Sequence, residues 1–166
     1  MLEAFGAMRF VIALTLFLLV TDAPARGQTD APPTIASGKC STSSGVTVGD
    51  GRTSHFGCDL VVIAHTARGI LIQFADKTGH DGRLLGFAGT IEGKQGFGAE
   101  KLQAVGVERL YLIGGGDPVP VEVGTCFMNW TGPQRTGGKL TSVTCGARGS
   151  AEGTEIKAIV QLKVTG

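Results

Sequence analysis

From residue 156 onward the chain alternates. Ile156, Ala158, Val160, Leu162 and Val164 fall on one side, and Lys157, Ile159, Gln161, Lys163 and Thr165 on the other. A period of two with one consistently apolar face is the pattern of a half-buried β-strand. Shorter stretches carry the same signal: Val46–Val48, Asp59–His65, Ile70–Ala75, Leu84–Ile91, Glu108–Ile113, Val119–Val123 and Leu140–Cys145. Between them stand residues that favour turns, notably Gly114 to Pro118, Gly132-Pro133 and Gly137-Gly138, where Gly supplies positive φ and Pro presets it. One stretch breaks the rhythm. Glu92 to Val105 is polar and glycine-rich, and its second half, Ala99 to Val105, is made of helix formers. The pattern therefore predicts a single all-β domain, an antiparallel β-sandwich or small β-barrel of about eight strands, with one short helix near 99–105.

The N-terminus follows different rules. Phe10 to Val20 is an uncharged apolar run, too short for a membrane span, which needs about 20 helical residues. It has the length of a signal-peptide core. Arg9 supplies the preceding positive charge, and Ala23 and Ala25 form an A-x-A cleavage site. Glu3 fits poorly in such a leader, and a start at Met8 removes it. Residues 1–25 are thus read as a signal peptide, 26–39 as a flexible lead-in carrying Pro32-Pro33, and 40–166 as the β domain. The rest of the chain offers no further stretch of transmembrane length, and its seven aromatics are too few for the girdles of an outer-membrane barrel.

Export changes the meaning of the cysteines. Cys40, Cys58, Cys126 and Cys145 are an even set in an oxidising compartment, which points to two disulfides. Of three connectivities, Cys40–Cys58 with Cys126–Cys145 closes two short local loops, each contributing about 3 kcal/mol in the chain-entropy picture. Zinc and redox chemistry lack their spacings: no C-x2-C pair occurs, and His55, His65 and His80 are not spaced as ligands.

The formal net charge of +1 gives no electrostatic footprint for nucleic acid. The densest polar cluster is Asp76-Lys77-Thr78-Gly79-His80-Asp81-Gly82. Asp76, His80 and Asp81 are candidates for cation or ligand contact, set against a plain hydrated hairpin loop without the order of a calcium loop. Trp130 is a candidate binding aromatic, set against a core tryptophan beside Cys126 and Phe127. Asn129-Trp130-Thr131 is a formal glycosylation sequon. Gly89, Gly93, Gly96 and Gly98 match neither a P-loop nor a dinucleotide fingerprint and read as turns. Neither a nucleophile elbow nor a paired-carboxylate motif is present in the sequence.

These readings lead to an exported, near-neutral, disulfide-stapled protein, secreted or periplasmic, with no cofactor implied. Its expected role is non-enzymatic: binding a protein or small-molecule partner, or association with the cell envelope, through loops or an exposed sheet edge. Two alternatives stand beside it. One is a carrier holding an apolar ligand inside the barrel, since eight strands can just enclose one. The other is a hydrolase using His65 or His80 with a loop carboxylate.

Overall fold

The structure is a computed structural model that describes residues 31–77, 83–97, 100–112, 114–132 and 138–165. Ten strands account for most of it: β1 (Thr34–Cys40), β2 (Gly45–Val48), β3 (Thr53–His55), β4 (Leu60–Thr66), β5 (Gly69–Ala75), β6 (Leu84–Phe97), β7 (Glu100–Tyr111), β8 (Val119–Thr131), β9 (Lys139–Ala151) and β10 (Thr154–Val164). All pair antiparallel in the order β1-β4-β5-β6-β7-β8-β9-β10, and β1 bonds β10 as well as β4, so these eight close into a ring. The expected all-β fold is present, as a small closed barrel.

The ring closes at a seam shared by two strands. Leu162 to Val164 of β10 pair with Gly38 to Cys40, while Ile156 to Ile159 pair with β2, which carries β3 on its outer side. Ser44 sits at the handover. It is buried, and its hydroxyl accepts the Gln161 N–H (3.1 Å), while Ser41 N donates to the Gln161 carbonyl (2.8 Å). The backbone groups at the change of partner are thereby satisfied.

The alternation read from the sequence becomes the inside and outside of the ring. Ile156, Ala158, Val160 and Leu162 are buried, as are Ile70, Ile72 and Phe74 of β5 and Val61 and Ile63 of β4. Phe74 meets Phe87 edge to face, with ring centroids 5.9 Å apart. Apolar rows face inward and Lys39, Lys157 and Lys163 face water, the reverse of a membrane-spanning barrel. No helix among the described residues is long and apolar enough to cross a membrane. Both disulfides pair as expected, Cys40–Cys58 and Cys126–Cys145.

Several expectations are corrected. The stretch read as a helix near 99–105 is strand from Glu100 on. Its helix-forming residues are overridden by burial, because Gln103, Val105 and Val107 enter the core at period two. The lead-in expected up to residue 39 ends earlier, since Thr34 to Lys39 belong to β1. Ten strands replace about eight, through β1 and the three-residue β3. Gly89, Gly93 and Gly96 are not turns but interior residues of β6, whose pairing with β7 shifts register between Ala88 and Gly89 and between Ile91 and Gly93. Such bulges bend strands and help a sheet to curl shut. Residues 1–25 and the site of signal cleavage lie outside the described residues.

One turn is locally strained. Glu152 (φ 51°) and Gly153 (φ 76°) join β9 to β10, both left-handed as a type I′ hairpin requires. Asn-Gly suits this turn better than Glu-Gly. The substitution Glu152→Asn is expected to stabilise the protein by roughly 0.5–1 kcal/mol, part of the cost of a left-handed L-residue. An unchanged melting temperature would count against this.

Candidate functional site

The residues singled out from the sequence do not converge. Asp76 follows β5, next to the end of that strand where Ala75 pairs with Leu84. Trp130 is near the far end of β8, opposite Leu140 of β9. Tracing the ladders from β5 through β7 to β8 puts the two at opposite ends of the barrel. His80 and Asp81 lie outside the described residues. Trp130 itself is buried in the core, and among the described residues its Nε1–H meets no acceptor. Asn129 of the sequon is inside β8, with Nδ2 donating to Ser142 Oγ (2.9 Å) and its carbonyl accepting from Thr141 (3.1 Å).

His65 is exposed on β4, paired with Ile70 at one end of β5, whereas Asp76 is at the other. At about 3.3 Å per residue the strand separates them by about 20 Å. Among the described residues no group of three His, Cys, Asp or Glu side chains is placed to hold a metal ion.

The surface chemistry lies on the outside of the barrel, where register, not sequence proximity, assembles it. On the outer face of β8, β9 and β10 three cross-strand rows run side by side: Val123–Arg148–Lys157, Thr125–Gly146–Ile159 and Phe127–Thr144–Gln161. The inner face of the same strands is the buried set Cys126, Cys145, Ala147 and Val160. Gly146 sits at the centre of the outer rows, and a Cβ placed there meets nothing within 4 Å. Around this gap Val123, Phe127 and Ile159 stand 62%, 43% and 53% exposed. The result is a shallow trough of about 600 Å³, open to solvent.

One end of the trough is basic. Arg148 and Lys157 face each other across β9 and β10. Glu155 serves both, at 2.6 Å from Lys157 Nζ and 4.0 Å from Arg148 Nε. The hydrogen bond from Lys157 holds the Glu155 carboxyl below its ordinary value, opposed by desolvation and aided by the charges of Lys157 and then Arg148. The small stability this gives is present above the ordinary glutamate value and is lost as acid protonates the folded-state carboxyl. This end thus carries the two bases with Glu155 between them, and one row further out Ser150 Oγ donates to a second carboxylate, Glu122 Oε1 (3.2 Å).

A long stretch of unpaired edge also exists. Residues 90–97 of β6 pair with β7 but extend past the end of β5. Glu92, Lys94 and the bulge beside them are the devices that blunt edge-to-edge pairing.

No sequence signal marked the trough, because its walls come from residues up to 36 positions apart, as in Val123 and Ile159. Compared with protein-family models, with curated proteins and with solved structures, the chain matches none.

Proposed function

We propose that this chain is an exported binding protein that holds an amphipathic anion, an apolar body with an acidic head, on the outer face of β8–β10. The observation that carries the reading is the trough: three exposed apolar side chains around the open surface of Gly146, with the Arg148–Lys157 pair at one end. Apolar contact would hold the body of the ligand, and the Arg148 and Lys157 side chains would orient its head. Export is supported by the apolar run Phe10 to Val20, the Ala23-x-Ala25 site and the two disulfides. A ligand inside the barrel has less to recommend it, because Phe74, Phe87, Leu110, Met128 and Val160 are fully buried there, the filled interior usual for eight strands.

The test is calorimetric titration of the full chain with decanoate below its micellar range, beside decanol and decyltrimethylammonium. Decanoate is expected to bind best. Gly146→Leu should fill the trough and abolish binding without loss of fold, since the position faces outward and a Cβ there meets nothing within 4 Å. Glu155→Gln should release both cations and tighten decanoate binding by roughly two- to fivefold, the scale of exposed ion pairs. Equal binding of the decyl cation, or decanoate binding untouched by Gly146→Leu, would rule the trough out.

A further inference from the structure

On the opposite flank of the ring, the turn between β4 and β5 and the outer face of β5, β6 and β7 enclose a second cleft of about 380 Å³. Leu71, Ala88 and Arg109 form one outer row across the three strands. Arg68 enters from the turn and Tyr111 from further along β7. The unusual member is Glu108. Successive side chains of a regular strand point to opposite faces, yet Glu108 and Arg109 both line this cleft and both are exposed. The ladder explains how: Val107 pairs with Gly89 and Arg109 with Ala88, leaving Glu108 as the extra residue of a bulge. Bulges that re-aim a side chain are common beside binding sites. Glu108 Oε1 accepts from Thr90 Oγ1 (3.3 Å), which fixes the carboxylate.

The floor is equally specific. Gly69 and Gly89 lie so close that a Cβ on Gly69 would run into the Gly89 carbonyl oxygen, so backbone of the turn and of β6 packs tightly where the two glycines line the cleft. Neither Arg68 nor Arg109 makes an ion pair among the described residues. Two guanidinium groups and one carboxylate leave a net charge of +1, which favours an anion. Guanidinium groups favour carboxylate and phosphate oxygens because their donors are planar and paired. The Glu108 carboxylate and the Tyr111 hydroxyl add acceptors for a ligand's own hydroxyl groups.

We infer that this cleft binds an oxyanion carried on a small hydroxylated ring, such as a sugar acid or a sugar phosphate. The inference goes beyond the trough reading and does not depend on it, since the two surfaces share no residue.

The full chain would be titrated with glucuronate, glucose 6-phosphate, glucose and inorganic phosphate, following backbone and arginine Nε–H signals by NMR. Glucuronate or glucose 6-phosphate is expected to shift the signals of Gly69, Gly89 and Arg109 at millimolar concentration, with glucose and inorganic phosphate much weaker. Arg68→Gln and Arg109→Gln should each weaken binding by about tenfold, as expected for loss of a hydrogen bond to a charged group, and leave the melting temperature unchanged. A preference for the sugar acid or for the sugar phosphate identifies which oxyanion the cleft favours. Inorganic phosphate binding as tightly as its sugar ester would overturn the ring requirement. Glucose binding as tightly as glucuronate would overturn the role of the arginines. An absence of shifts with all four probes, or shifts that survive both arginine substitutions, would overturn the site.

Discussion

Gly89→Val is expected to be among the most damaging single substitutions in the protein, costing about 3 kcal/mol or more, the upper range for overpacking. A Cβ at Gly89 would run into the Gly106 carbonyl oxygen and lie 2.8 Å from its carbon and 3.0 Å from Val107 Cα. All three atoms are backbone of β7, so no rotamer change relieves the clash. Either β6 and β7 separate or the bulge between Ala88 and Gly89 is lost, and with it the curvature the ring needs. The control is Gly146→Val on the outer face of β9, where a Cβ meets nothing within 4 Å. Its cost should fall within about 0.5 kcal/mol, as for most surface changes. Chemical denaturation of both variants decides it: similar midpoints would mean that the ring does not depend on the Gly89 contact.

The same pair of glycines shows which features the sequence made legible. Strands that bury one face write an alternation into the sequence, and β4, β5 and β10 were readable for that reason. Glycines carry no such mark. Gly89 and Gly146 look alike as letters, yet one is packed under a neighbouring backbone and the other opens onto solvent. The outer half of β6 was unreadable because Glu92 to Gln95 are exposed on both faces, so no period-two contrast arises. In β7 a run of helix formers was decided by pairing with β6 and β8, a contact invisible to local propensity. β1 carries no such contrast because Ala36 and Gly38, its inward residues, are small and weakly apolar.

The candidate sites were less legible than the fold, for a related reason. The trough is a property of register: it exists because Gly146 falls between Thr125 and Ile159. The second cleft depends on a bulge that places Glu108 beside Arg109. The polar loop from Asp76 and the lone Trp130 drew attention because composition is visible in a sequence and register is not. Disulfide pairing was legible because an even number of cysteines and the loop lengths between them constrain it without reference to the sheet.

Those two disulfides are expected to fail differently. The loops are nearly equal, with separations of 18 and 19 residues, so chain entropy alone assigns each about 3 kcal/mol. Their settings differ. Cys126 and Cys145 are fully buried and directly opposed in the ladder that joins β8 and β9 from Val121 to Thr131. That ladder holds the two strands together with or without the bond. Cys40 ends β1, the strand that closes the ring through only Gly38 to Cys40 on one side and Thr34 to Ser37 on the other. Cys58 lies on the connection into β4, whose carbonyl groups accept from Cys40 N (2.9 Å) and, at Asp59, from Gly38 N (2.8 Å). Cys40→Ala with Cys58→Ala should therefore open the seam locally as well as lower global stability. Cys126→Ala with Cys145→Ala should lower global stability by about 3 kcal/mol or somewhat more, given the two buried sulfurs removed, and leave the seam closed. Hydrogen exchange separates the two effects. In the first variant the amides of Gly38 and Cys40 should lose protection well before those of β9; in the second they should exchange together. If β1 stays as protected as β9 without Cys40–Cys58, the ring is held by its hydrogen bonds and packing alone, and the staple serves only the unfolded chain.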